Sequence, residues 1–137
     1  MTYGNVYVAQ VAMGADPNQL IKAIREAEEF DGPSVIVAYT PCLSHGLKCG
    51  MGCAQDEMKR AVEAGYWMLY RYNPAKEKPF TLDSKAPVTS YAEFLAGETR
   101  YAALKRTFPD NAEKFFARGA EEAEKKYLYY KKMEDNQ

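Results

Sequence analysis

Three cysteines and the chain's single histidine lie between positions 42 and 53, as Cys42, His45, Cys49 and Cys53. Thiolates and imidazole suit zinc, and four thiolates suit an iron–sulfur cluster. The spacing differs from structural zinc sites, whose ligands come in two short knuckles. A self-contained Cys3His site therefore competes with a plainer reading, in which some of these cysteines are small residues near a helix start that bind nothing. Three is an odd count and no basic-then-apolar leader opens the chain, so a disulfide framework is not expected. His45 has no serine or carboxylate in an evident catalytic pairing and reads as a hydrogen-bonding loop residue. Gly46, Gly50 and Gly52 lack the lysine of a Walker loop and the strand-turn-helix placement of a dinucleotide loop. Gly46 and Gly50 are expected to let the backbone pack closely around whatever Cys42 contacts.

The elements that position this loop begin with residues 5–12, β-branched, aromatic and largely apolar, which read as a buried strand. Asp16 followed by Pro17 marks a helix start, and Leu20, Ile21 and Ile24 follow at helical spacing until Gly32 and Pro33. Residues 34–40 are apolar at almost every position, the pattern of a strand covered on both faces in a parallel sheet. Strand, helix and strand make one right-handed βαβ unit, and Cys42 falls just past the carboxyl end of its second strand. In open α/β sheets that edge is where ligands and cofactors bind.

Beyond the loop, a helix is expected from Ala54, a strand over 68–72 and a short extended segment over 80–83. The last third reads as helical. Ser90 with Glu93 makes a capping box opening a helix to about Thr107, and Asp110 with Glu113 caps the next. In that helix Phe116, Ala120, Ala123, Tyr127 and Tyr130 form one stripe, a seam against a sheet or another subunit. The tyrosines at 66, 70 and 72 with Trp67 are expected to cover the sheet. Two or three strands make a narrow parallel sheet, so the chain reads as the closing portion of a larger α/β domain, or one that completes its sheet with a partner.

The chain has 137 residues, with Lys and Arg totalling 18, Asp and Glu 19, and a formal net charge of -1. No basic excess marks a nucleic-acid binder, and no apolar run approaches the ~20 residues of a membrane span. A cytoplasmic protein is the expectation.

Several blocks, in order, resemble pyruvate:ferredoxin (flavodoxin) oxidoreductase. They are Tyr7-Val-Ala-Gln-Val-Ala-Met-Gly-Ala15, Pro33-Ser-Val-Ile-Val-Ala-Tyr39, Pro41-Cys-Leu-Ser-His-Gly-Leu47, Lys59-Arg-Ala-Val-Glu-Ala-Gly-Tyr-Trp67, Leu69-Tyr-Arg-Tyr-Asn-Pro74 and Pro79-Phe-Thr-Leu-Asp-Ser-Lys85. The resemblance implies the C-terminal part of that family's thiamine-diphosphate-binding domain. The fold expected is α/β, the end of a doubly wound parallel sheet over residues 1–88, followed by a helical C-terminal extension over 89–137. It also implies a large homodimeric oxidoreductase that decarboxylates pyruvate on thiamine diphosphate with magnesium. Electrons pass through [4Fe-4S] clusters to ferredoxin or flavodoxin, and coenzyme A receives the two-carbon unit. In the family the cluster nearest thiamine takes three cysteines from earlier in the domain and one from this late loop, and the matching residue is Cys42. Cys49 and Cys53 fall where the pattern does not demand cysteine.

The sequence contains no Gly-Asp-Gly motif and no Cys-x-x-Cys pair. The chain is therefore expected to be a fragment, inactive and without cofactor alone, whose partner is the remainder of the oxidoreductase polypeptide. Two alternatives stand beside this reading. One is a stand-alone metal-binding module using Cys42, His45, Cys49 and Cys53. The other is a structural piece whose helical tail mediates assembly.

Overall fold

A computed structural model describes Met1 and residues 3–137. The elements in chain order are β1 (Tyr7–Val11), α1 (Pro17–Glu29), β2 (Ser34–Ala38), α2 (Ala54–Glu63), β3 (Tyr70–Tyr72) and β4 (Phe80–Leu82). Three further helices follow, α3 (Tyr91–Gly97), α4 (Thr99–Thr107) and α5 (Pro109–Asp135). The α/β class and the helical ending are as the sequence implied. Asp16 caps α1 as expected, its side chain accepting from the Gln19 amide at 2.9 Å, with Pro17 in the first turn.

The sheet order is β2-β1-β3-β4. Only β1 and β2 are parallel; β3 runs antiparallel to β1, and β4 antiparallel to β3. The sheet is therefore mixed rather than parallel throughout. The short connection from β3 to β4 dictates this, since antiparallel neighbours can be joined by a hairpin whereas parallel ones need a crossover. Alternation along β1 serves two layers. Tyr7, Ala9 and Val11 pack with Ala23 of α1 on one face, while Val8 faces a second cluster of Met68, Tyr70, Phe80 and Tyr130, the last on α5. A third cluster lies past the carboxyl ends of β1 and β2, where Ala12 and Tyr39 meet Met58 and Ala61 of α2 and Phe94 and Leu95 of α3.

Two helix boundaries differ from the sequence reading. The helix opened by Ser90 breaks at Glu98, which is extended at φ -83° and ψ 121°, and so divides into α3 and α4. The break is made by pairing with the cysteine loop, described below. Helix α5 starts two residues earlier than Asp110 would cap it, with Phe108 at the N-cap and Pro109 in the first turn; Asp110 instead places its charge at the positive end of the helix dipole. The stripe along α5 is spent within the chain. Phe116 meets Tyr101 edge-on with ring centres 6.0 Å apart, and Tyr130 packs on Tyr70 and Phe80.

The two sheet edges are finished differently. Along β4, the Phe80 amide donates to Gln137 Oε1, Gln137 Nε2 donates to the Phe80 carbonyl, and the Leu82 amide donates to Glu134 Oε1. The tail of α5 thus supplies the partners that another strand would supply. At the opposite edge every residue of β2 is exposed, including Val35 at 47%, Ile36 at 36% and Val37 at 41%. A bare apolar edge strand is a template for further pairing.

Between sheet and α1, the buried Arg71 binds Asp83 through two parallel hydrogen bonds at 2.9 and 2.8 Å and Glu26 at 2.7 Å, both carboxylates being partly buried. Tyr7 and Lys76 complete the ring of donors around Glu26. Burial pushes the Glu26 carboxyl up, but the hydrogen bonds from Lys76 and Arg71 outweigh it and hold Glu26 below its ordinary value. The stability this lends is present at neutral pH and is lost as pH falls through the depressed value. Arg71→Met, which leaves two partly buried carboxylates without their shared partner, is expected to destabilise the chain by about 2–4 kcal/mol in urea unfolding.

Candidate functional site

The loop between β2 and α2 leaves the sheet at Tyr39 and returns through Leu47. Its first turn is closed by the Gly46 amide, which donates to the Cys42 carbonyl at 2.9 Å. Gly46 and Gly50 both hold positive φ, 71° and 83°, and a side chain at either would meet nothing within 4 Å. They serve conformation, not the close packing read from the sequence. The close approach is at Gly14, where a Cβ would collide with the Gln55 carbonyl at the start of α2.

Antiparallel pairing with the α3–α4 junction fixes the loop's height above the sheet. Leu47 bridges Glu98, the Lys48 amide donates to the Gly97 carbonyl at 3.1 Å, and the Thr99 amide donates to the Gly46 carbonyl at 3.4 Å. Glu98 has no exposed surface. Its Oε1 accepts from the Tyr39 hydroxyl at 2.8 Å, and its Oε2 lies 3.3 Å from Arg100 Nε, close enough for an ion pair although the angles do not make a hydrogen bond. Burial, together with the hydrogen bond to Glu98, raises the Tyr39 hydroxyl far above its ordinary value, so it remains a donor. Glu57 on α2 is also buried; burial raises its carboxyl, with Arg60 only partly offsetting this and the Glu98 charge adding to it. Tyr39 and Glu98 were not singled out from the sequence. The one available signal was Gly97 interrupting an otherwise helical run.

On this frame Cys42 is a free, half-buried thiol whose Sγ lies 3.0 Å from His45 Nδ1. The hydrogen bond from His45 is the main cause that lowers the Cys42 thiol to about 7, so near neutral pH about half of it is the thiolate that binds metals. Next to it Leu43 is 77% exposed.

The remaining cysteines go elsewhere. Cys49 and Cys53 form a disulfide across the start of α2, with Cα atoms 6.3 Å apart. No disulfide framework was expected, yet one bond forms between Cys49, in the turn before α2, and Cys53 at its N-cap, and the odd count leaves Cys42 free. The Cys53 sulfur also lies 2.9 Å from the Gly50 carbonyl, an acceptor for the thiol when the pair is reduced. Among the described residues no three His, Cys, Asp or Glu side chains gather as metal ligands. The four-residue metal module is therefore not assembled. What the loop does offer is one accessible thiolate, which fits a single position in a ligand set completed by other residues.

No family model matches the chain. Its similar proteins are oxidoreductases. The chain is 53% identical over 137 residues, 97% of its length, to a pyruvate-flavodoxin oxidoreductase of Klebsiella pneumoniae, and 54% identical over the same share to a pyruvate:ferredoxin oxidoreductase of Moorella thermoacetica. A pyruvate dehydrogenase [NADP(+)] of Euglena gracilis is 41% identical over 97% of the chain. The chain thus corresponds to a segment of the pyruvate-flavodoxin and pyruvate:ferredoxin oxidoreductases, spanning 12% of the length of the Klebsiella and Moorella relatives. No helix among the described residues is long and apolar enough to cross a membrane.

Two measurements follow from this geometry. Alkylation of Cys42 in the isolated, cluster-free chain is expected to rise through a midpoint near pH 7, because the thiolate is the nucleophile; His45→Ala moves that midpoint upward. Tyr39→Phe leaves a buried carboxylate oxygen without its donor. It is expected to cost about 1–3 kcal/mol in urea unfolding and to speed amide hydrogen exchange at Lys48 and Thr99.

Proposed function

We propose that this chain is the part of a pyruvate:ferredoxin/flavodoxin oxidoreductase that ends the thiamine-diphosphate-binding domain and gives one thiolate, Cys42, to the [4Fe-4S] cluster nearest the thiamine. The whole enzyme, a cytoplasmic homodimer, converts pyruvate and coenzyme A to acetyl-CoA and carbon dioxide and delivers electrons to ferredoxin or flavodoxin. The observation that carries this reading is the identity of 53–54% along 97% of the chain to enzymes named for that reaction. The relatives' names share pyruvate and differ in the acceptor, which is flavodoxin, ferredoxin or NADP(+). Pyruvate is accordingly the firmer half of the assignment.

Thiamine diphosphate with magnesium supplies the decarboxylation chemistry, and the clusters supply one-electron transfer. This chain's own contribution is narrower. Residues 1–88 bring the strand ends and the loop together, and residues 89–137 hold the loop from above through Gly97, Glu98 and Thr99. Cys42 then presents a thiolate at the carboxyl edge of the parallel pair. The exposed Leu43 beside it and the bare apolar β2 mark surfaces that the rest of the polypeptide covers. With one of four ligands, the isolated chain holds no cluster and has no activity alone.

In the intact oxidoreductase, Cys42→Ser is expected to change or abolish the electron-paramagnetic-resonance signal of one cluster, lower the iron content and depress acceptor reduction. Cys49→Ser and Cys53→Ser leave all three unchanged. An unaltered signal in Cys42→Ser would remove the assignment.

A further inference from the structure

We propose that His45 donates a hydrogen bond through Nδ1 to the Cys42 sulfur while that sulfur is bound to iron, and thereby raises the reduction potential of the cluster. The proposal rests on the reading of Cys42 as a ligand and adds a residue that sets the energy of the electron that the cluster accepts.

The geometry is local and built by the backbone. His45 lies three residues after Cys42 in a turn that the Gly46 amide closes onto the Cys42 carbonyl at 2.9 Å, with Gly46 at φ 71°. That φ is one a side chain rarely tolerates, so the turn is specified by sequence. It delivers the imidazole to 3.0 Å from Sγ with no help from any distant element. Pairing of Leu47 with Glu98 then fixes the far end of the same turn. Among the described residues Cys42 is the one side-chain partner of His45, so no carboxylate competes for the Nδ1 proton.

A sulfur bound to iron keeps lone pairs that accept hydrogen bonds. A donor aimed at them withdraws charge and favours the more negative, reduced cluster, and hydrogen bonds to the sulfurs are among the factors that set cluster potentials. Covering the loop with the rest of the polypeptide lowers the local dielectric and strengthens the bond. His45 is thus a positioning and tuning residue acting through Cys42, not a ligand or a proton carrier.

The test is a redox titration of the intact oxidoreductase, loaded with its clusters and followed by electron paramagnetic resonance, in Cys42→Ser, His45→Ala and His45→Asn. Cys42→Ser identifies the cluster by the signal it changes. His45→Ala is expected to retain iron and signal but to shift that cluster to lower potential. A roughly tenfold fall in the ratio of reduced to oxidised cluster at fixed potential corresponds to about 59 mV for one electron. His45→Asn, whose side-chain amide offers a donor near the Nδ1 position, is expected to recover part of the shift. His45 is exposed and outside the core, so neither variant removes packing that holds the fold. An unchanged potential in His45→Ala, or equal shifts in His45→Ala and His45→Asn, would overturn the proposal while leaving Cys42 a ligand. A Cys42→Ser enzyme with every signal unchanged would overturn both readings.

Discussion

Glu98, its side chain sealed from solvent, ties the α3–α4 junction to the end of β2 and the cysteine loop, some fifty to sixty residues earlier in the sequence. Tyr39 at the end of β2 donates to it, Arg100 at the start of α4 lies against it, and its own backbone pairs with Leu47 of the cysteine loop. A charge buried this deeply is tolerated only with its partners in place. Helices α3 and α4 therefore separate at Glu98, where an uninterrupted helix would leave the Lys48 amide and the Gly46 carbonyl of the loop without partners. The helical ending is a clamp on the loop that carries Cys42, and Phe94 and Leu95 pack into the same cluster as Ala12 and Tyr39.

The same chain finishes one side of its sheet and leaves the other bare. Glu134 and Gln137 occupy the hydrogen-bonding positions along β4, while Val35, Ile36 and Val37 of β2 stand exposed, with Ile21 and Ile24 of α1 exposed nearby in the same βαβ unit. Charged residues or a bulge would blunt a true outer edge, and β2 has neither. Apolar residues on both faces are the pattern of a strand with neighbours on either side, and the chain spans 12% of the length of the Klebsiella and Moorella relatives.

Much of this was legible in the sequence where local chemistry decides the structure. Asp16 and Pro17 announce α1, the β-branched runs announce β1 and β2, and Ser90 announces α3. The direction of β3 was not legible, because an apolar run carries no sign of whether its neighbour is parallel. Nor was the break at Glu98, since Gly97 is the one weak helix former that hints at it and the interruption is imposed by a loop some fifty residues earlier. The site was half legible. The position of Cys42 past a parallel strand follows from order along the chain, and His45 reads as a hydrogen-bonding loop residue, but that its partner is Cys42 emerges only from the turn the structure closes. The disulfide of Cys49 and Cys53 ran against reasoning from an odd count, which limits how many pairs form but does not prevent one.

The central claim is that Cys42, held by the Glu98 clamp, meets iron in the intact oxidoreductase. Diffraction from crystals of that enzyme, recorded on both sides of the iron absorption edge, tests it most directly. The account predicts an anomalous iron peak within bonding distance of Cys42 Sγ and none at Cys49 or Cys53. A cluster fully ligated by other cysteines, with Cys42 Sγ away from every iron, would contradict it.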